Sequence, residues 1–319
     1  MHMENTKIAK ERDANACRHC GNRENLEVIQ LYPGNNTASW HLSNLITICK
    51  NCLDERNVSE SSMYSDRVGV LLAGGRGTRL APLTLTQNKH MLPIGIIPMI
   101  FYPLKTLRSL GCKRILVVVD RQNSTAIMEA LGSGKEWGLD ITYKVQEGAS
   151  GIAKALYLAK DFVKDEKEIL CVLGDNVFGD IKEGISLDGN QACVVVKSVP
   201  NPEDYGVAQI ENGQVIKIVE KPKSFISNLA VLGLYLYTTD VFKVIDNIQP
   251  SARGEYEIST VNDHYASINK LKYDTLNCYW IDAGSNIAKY SEANMYGAKQ
   301  ANVSIEEIDT FKSIVFDNK

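Results

Sequence analysis

The 319-residue chain lacks any long apolar run. No stretch approaches the ~18 uncharged residues of a membrane span, which excludes a helical membrane protein. Charge of one sign is also scarce. A formal net charge of −3 and a pI of about 6.0 give no global attraction to nucleic acid or to a membrane surface. Internal repeats and low-complexity tracts are missing, so no repeat architecture is expected. The polar start, MHMENTKIAKERD, has no signal-peptide core, and a soluble, cytoplasmic protein is the expectation. What remains is ordinary globular composition, 44% hydrophobic and 23% charged. That is enough for one large α/β domain with a small appendage.

The eight cysteines divide unevenly. Cys112, Cys171, Cys193 and Cys278 are scattered and read as small buried hydrophobes. Cys17 with Cys20, and Cys49 with Cys52, form two C-x-x-C pairs separated by 28 residues. In a chain without export signals this is a metal spacing rather than a disulfide framework. Four thiolates make a closed tetrahedral Zn2+ site, and in so short a segment the metal would supply much of the folding energy. The alternative is four free or redox thiols.

A polar, serine-rich stretch, NVSESSMYSD, divides the chain near residues 60 to 66. The expected domains are a small cysteine-bearing module over 1–63 and a large α/β domain over 67–319. Downstream of the divide, apolar runs alternate with amphipathic stretches. RVGVLLA, KRILVVVD, DITYKVQ and EILCVLGDN read as strands; PMIFYPLKTLRSLG (starting near Pro98), STAIMEALG and GIAKALYLAKDFV read as helices. This β-α-β-α order predicts a mostly parallel sheet with helices on both faces. Further on, YGVAQIENGQVIKIVEKP reads as a hairpin turning at Asn212-Gly213. LAVLGLYLY is a strand, YEISTVNDHYASI a helix, KLKYDTLNCYWIDAG extended, and a last helix starts near Ser285.

After the first of these strands comes LLAGGRGTRLAPLTLTQNKHMLP. Glycines at the carboxyl end of a sheet strand let backbone N–H groups approach phosphate oxygens. Yet the Gly-Lys-Ser/Thr ending of an ATPase P-loop is missing, and Leu80 stands where a dinucleotide fingerprint needs Gly or Ala. The longer stretch, AGGRGTRLAPLT followed by KHMLPIGIIPMI, resembles the sugar nucleotidyltransferase signature GGxGTRLxPxT…KxxLPxxxxPMI. GDN (174–176), DYGVAQI (204–210), EKP (220–222), SARGEYEIST (251–260) and WIDAG (280–284) extend the likeness in order. Residues 67 to about 300 most resemble the glucose-1-phosphate thymidylyltransferases.

The resemblance implies a Rossmann-like nucleotidyltransferase fold and Mg2+-dependent attack of a sugar 1-phosphate on the α-phosphorus of a nucleoside triphosphate. The nucleophile is already ionised, so no general base is needed, and catalysis reduces to positioning and to cations at the developing charge. By motif position, Gly74, Gly75, Gly77 and Thr78 would wrap the triphosphate, Arg79 would neutralise the leaving pyrophosphate, and Lys89 would meet the reacting phosphates. Asp175 and Asp282 would hold Mg2+. Lys221 would clamp the sugar phosphate, with Asn176, Gly206, Glu220 and Val231 lining the sugar pocket and Gln146 and Gly151 facing the base.

dTTP and glucose 1-phosphate are the favoured substrates. UTP or another sugar 1-phosphate stays open, because His90, Ser150, Lys154 and Ala283 depart from the family pattern. A catalytically silent sugar-nucleotide sensor is the competing reading. The family's habit of forming tetramers implies a homo-oligomer.

The cysteine segment resembles the zinc-ribbon form of HNH endonucleases. Ile29 and Gln30 stand where that pattern has paired histidines, and Leu53 replaces the histidine after the last cysteine, so the nuclease chemistry is absent. Residues 1–60 carry 7 Lys/Arg and 8 Asp/Glu, which leaves no basic excess for a phosphate backbone. A protein-contact module is expected rather than a nucleic-acid reader.

Overall fold

The structure, a computed structural model, describes residues 2–17, 22–30, 45–50, 67–122, 124–148, 150–164, 166–181 and 184–300. The divide near residues 60–66, together with Cys20 and Cys52, lies outside them.

The amino-terminal unit has a helix, α1 (His2–Arg12), and an antiparallel pair, β1 (Leu26–Gln30) and β2 (Leu45–Cys49), in register Leu26 to Cys49. Lys10 Nζ reaches Leu26 O at 3.0 Å. Asp13, just past the helix, is buried and accepts from Thr47 N at 2.9 Å. Burial opposes its ionisation, but the Arg12 and Thr47 hydrogen bonds more than offset that and hold its carboxyl below the usual range. Cys17 and Cys49 are both buried. Among the described residues no three metal-ligating side chains gather, so the expected four-cysteine site rests on two cysteines that fall outside them.

The large domain begins with β3 (Arg67–Ala73), the fully buried strand expected from its apolar run. A short hairpin, β4 (Pro93–Ile94) and β5 (Ile97–Pro98), precedes α2 (Phe101–Ser109). The helix therefore starts later than Pro98, which pairs with Pro93 across the hairpin instead. A proline is tolerated there because an edge position needs no N–H donor. Next come β6 (Arg114–Asp120), α3 (Ser124–Leu131), β7 (Asp140–Gln146), α4 (Ile152–Tyr157), β8 (Glu168–Leu173) and β9 (Asn176–Phe178). The rest is β10 (Ala192–Ser198), β11 (Gly206–Glu211), β12 (Gln214–Glu220), β13 (Leu229–Thr238), α5 (Val241–Asn247), α6 (Ile258–Ser267), β14 (Leu271–Thr275), β15 (Trp280–Asp282) and α7 (Ile287–Gln300). Helix α4 is shorter than GIAKALYLAKDFV suggested, giving way to turns after Tyr157.

Nine strands form one mixed sheet among the described residues, in the order β12-β11-β13-β8-β3-β6-β7, with β10 on β13 and β14 on β10. The run β8-β3-β6-β7 is parallel, as the β-α alternation predicted. Successive side chains of a strand face opposite ways, and two cores result. Val68, Val70 and Leu72 meet α4, α5 and α6 on one face. Leu71 and Ala73 meet α2 and α3 on the other.

The sheet divides at β13. One of its edges carries β10, with a register shift between Val194 and Val196. The other is shared, Leu234–Thr238 pairing with β8 while Ala230 and Val231 pair with β11. Gly233 stands at the changeover, and its N–H donates to the Asn176 side chain instead of to a strand. A small satellite layer, β9 paired with β15, is covered by α7. No described helix is long and apolar enough to cross a membrane.

Candidate active site

The glycine loop leaves β3 at its carboxyl end and runs between two side chains. A Cβ on Gly74 would fall 2.6 Å from Gln146 Oε1, and one on Gly77 would fall 2.7 Å from Lys89 Cβ. Gly77 also has φ +70°. A side chain at Gly77 would collide with Lys89 and one at Gly74 would push the Gln146 amide aside, so the glycines serve close approach as well as phosphate access. Thr84 Oγ1 donates to Gly77 O at 2.9 Å and ties down the loop's far end.

Lys89 lies on a single 3-10 turn, Lys89–Met91, capped by Asn88. Asn88 Oδ1 accepts from His90 N at 2.7 Å and stands 2.7 Å from His90 Nδ1. The carboxamide oxygen can only accept, so Nδ1 carries the imidazole proton. The ring then packs against Gly174, where a Cβ would lie 2.8 Å from His90 Cδ2. Burial, reinforced by the Lys89 charge, pushes the His90 pKa down to about 3 from 6.5.

Asp175 follows β8 and Asp282 ends β15. The β9–β15 pairing sets Asp282 opposite Asn176, and Ala283 N donates to Asp175 O at 2.9 Å. Two acids distant in the chain thus become neighbours. Asp175 Oδ2 takes an ion pair from Lys89 Nζ at 2.5 Å, and Oδ1 accepts from Asn176 Nδ2 at 3.2 Å. Burial raises the Asp175 carboxyl, but Lys89 and His90 outweigh it and the group is held below its ordinary range. Asp282 goes the other way, pushed well up by burial and then by the Asp175 charge. Two half-buried, mutually repelling carboxylates are the hard-oxygen donor set that suits a divalent cation. The fit is supported by Gly284, where a Cβ would come within 2.1 Å of Asp175 Oδ2.

Three cavities lie at this edge of the sheet, the first and second sharing Gly74, Gly75 and Gln146, and the second and third sharing Ile152 and Leu173. The first, about 520 Å³, is walled by the glycine loop from Gly74 to Thr78, by Gln146 and by the Asp120–Gln122 turn. The second, about 220 Å³, takes in Gly75, Lys89, Gln146, Gly151 and Asp175. The third, about 140 Å³, lies at the split in the sheet and gathers Arg79, Asn176, Gly206, Glu220, Lys221, Val231 and Asp282. The structure therefore places every site residue named from the resemblance on the wall of one of these three cavities. Asn176 is the hub of the third, its Oδ1 accepting from Trp280 Nε1 at 2.7 Å and Gly233 N at 3.1 Å. Lys221 has φ +42°, rare for a residue with a side chain, and such conformations cluster at functional sites.

The family model described as Nucleotidyl transferase matches residues 68–300. The chain belongs to that family. A glucose-1-phosphate thymidylyltransferase of Xanthomonas campestris pv. campestris is 37% identical over 238 residues, covering 72% of this chain and 80% of its own. One from Mycolicibacterium smegmatis is 36% identical over 224 residues, covering 68% and 77%. A candidate glucose-1-phosphate thymidylyltransferase from Bacillus anthracis, crystallised with a sucrose, is 39% identical with a TM-score of 0.68 and covers 74% and 99% of the two chains. UDP-glucose pyrophosphorylase bound to UDP-glucose shares the fold at a TM-score of 0.64 and 23% identity. The enzyme is a nucleotidyltransferase of the glucose-1-phosphate thymidylyltransferase type. The match starts at residue 68, so the cysteine segment lies outside it.

Several lining residues had no individual reading in the sequence. Tyr205, Trp280, Ser259 and Asn262 all wall the third cavity. Trp280 had a signal, since it stands two residues before Asp282 on a strand and so shares its face. Tyr205 immediately precedes Gly206. Ser259 and Asn262 sit three apart on α6, a helical spacing that also fits a plain core position.

Two outcomes follow from this geometry. Gly284→Ala should displace the Asp175 carboxylate and lower kcat/KM by about 100-fold, with the thermal midpoint changed little; steady-state kinetics beside calorimetry checks both. For His90, the unfolded chain binds a proton below about pH 6.5 that the native state refuses, so stability falls as pH drops from 6.5 towards 3. Asp282 titrates in the opposite sense, so the informative quantity is a difference. Relative to wild type, His90→Gln should gain about 2 kcal/mol of unfolding free energy between roughly pH 7 and 4.5, read by urea denaturation. A constant difference across that range would show that His90 is not neutral in the folded protein.

Proposed function

We propose that the enzyme transfers a thymidylyl group from dTTP to glucose 1-phosphate, giving dTDP-glucose and pyrophosphate in a Mg2+-dependent reaction. The observation that carries this reading is the convergence of Asp175 and Asp282 between a glycine loop and a small polar cavity with its own cations. The loop Gly74–Thr78 receives the triphosphate, with Gln146 and the Gly151 backbone towards the base. Arg79, on the turn after the loop, faces the phosphates that leave. On the other side, Glu220, Asn176, Gly206 and Val231 hold the sugar, and Lys221 holds its phosphate.

A phosphate oxygen of glucose 1-phosphate forms a bond to the α-phosphorus as the bond to the bridging oxygen of pyrophosphate breaks. No proton is transferred, so the residues supply alignment and charge rather than acid–base catalysis. Mg2+, when held by Asp175 and Asp282, supplies Lewis-acid stabilisation of the phosphoryl oxygens. The names of the relatives support dTTP and glucose 1-phosphate. The departures at His90 and Lys154 keep UTP as the alternative nucleotide to be measured beside it.

Pyrophosphate release, with each triphosphate tested against a panel of sugar 1-phosphates, checks the reading. dTTP with glucose 1-phosphate should give the highest kcat/KM, and Asp175→Ala and Asp282→Ala should each lose about 10³-fold or more. Unaltered turnover in either variant sinks the metal assignment. A higher kcat/KM with UTP would replace the nucleotide but keep the chemistry.

The same reading extends to the cysteine segment. Cys17, Cys20, Cys49 and Cys52 hold one structural Zn2+, and the module contacts a protein partner or a second copy of a cytoplasmic homo-oligomer. The burial of Cys17, after α1, and of Cys49, at the end of β2, supports it. Elemental analysis of purified protein should find one zinc per chain, lost with Cys17→Ser; a zinc-free protein with a folded amino-terminal unit would overturn the site.

A further inference from the structure

Lys89 touches two parts of the site that serve different ends. Its Nζ lies 2.5 Å from Asp175 Oδ2. Its stem runs across the glycine loop, where a Cβ on Gly77 would meet Lys89 Cβ at 2.7 Å and one on Gly75 would meet Nζ at 3.0 Å. Asp175 has little room to move. Asn176 Nδ2 holds Oδ1, and the turn at Gly284 closes on Oδ2 so tightly that a Cβ there would lie 2.1 Å away. Lysine is the mobile partner, a compact charge on a flexible four-carbon stem. The oxygen that it caps is one of the two that Asp175 could offer to a divalent ion shared with Asp282.

We propose that Lys89 is an exchangeable counter-ion, which holds Asp175 Oδ2 until a triphosphate occupies the glycine loop, then moves to the phosphates and releases that oxygen to the divalent ion. The inference rests on the Asp175–Asp282 metal site proposed above. Its physical basis is competition. A divalent ion arriving alone must displace an ammonium from the same carboxylate oxygen, at a distance where the pairing is strong. Triphosphate carries several negative charges and sits beside the stem of Lys89, so a short swing of Nζ exchanges one anion for a stronger one. Metal and nucleotide then bind together, and Asp175 is not left without a counter-charge before they arrive.

The test is Mn2+ affinity of the full-length protein without nucleotide, followed by the electron paramagnetic resonance signal of free Mn2+. Lys89→Met should bind Mn2+ about tenfold or more tightly than wild type, and the gain should vanish in Lys89→Met/Asp175→Asn. Arg79→Met is the control for general charge, because Arg79 acts on Asp282 through its charge alone; it should change affinity less than about threefold. Equal tightening in both single variants overturns the exchange in favour of ordinary electrostatics. Equal affinity in Lys89→Met and wild type, abolished in both by Asp175→Asn, overturns the exchange while leaving the metal site standing. If no variant shows an Asp175-dependent Mn2+ site, with or without dTTP, the exchange and the metal assignment fall together.

Discussion

Asp175 and Asp282 repel each other inside the protein, and the surrounding structure is built to keep them together regardless. Burying two like charges side by side raises the pKa of one of them unless opposite charge is close. Here Asp282 shows the raised value and Asp175 the lowered one, with Lys89 on the latter. The pairing of β9 with β15 supplies the mechanical constraint. Gly284 removes the Cβ that would push the carboxylates apart. A pair held this way is poised for added positive charge, whether from a divalent ion or from cations of the site.

The cavities around the pair come from the sheet itself. Its parallel half ends in the glycine loop and the Gln146 and Asp175 turns, the carboxyl edge where ligands of α/β folds bind. Its antiparallel half parts from β8 at Gly233, and the Asn176 side chain fills the gap by accepting from the N–H that would otherwise be orphaned. The same carboxamide oxygen orients Trp280. One asparagine thereby closes a defect in the sheet and forms the inner end of the polar cavity.

The departures from the family pattern acquire physical content. His90, one of those departures, is a neutral imidazole fixed by Asn88 and pressed against Gly174, beside the turn that carries Asp175. Lys154 points its ammonium between the rings of Tyr157 and Tyr256, at 5.3 and 4.5 Å from their centroids. A cation in that aromatic cleft has a structural partner of its own. Of the two departures, only His90 lines the cavity shared by Gln146, Lys89 and Asp175.

Much of the large domain could be read in advance, because short β-branched apolar runs bounded by turn residues favour buried strands and 3.6-residue stripes favour helix faces. The glycine loop was legible too, through spacing and the missing P-loop lysine. The misplacement of the helix start at Pro98 came from a residue that suits a helix's first turn and a hairpin edge equally. What the chain alone determined was a set of elements and a collection of charged residues with a shared chemistry. What tertiary structure decided was their meeting: Asp282 beside Asp175, Lys89 across Gly75 and Gly77, Asn176 in the break at Gly233. Those contacts join segments far apart in the chain, and local pattern carries no information about which distant strand will close against which. Only packing of the two cores and pairing of the strand edges settles that.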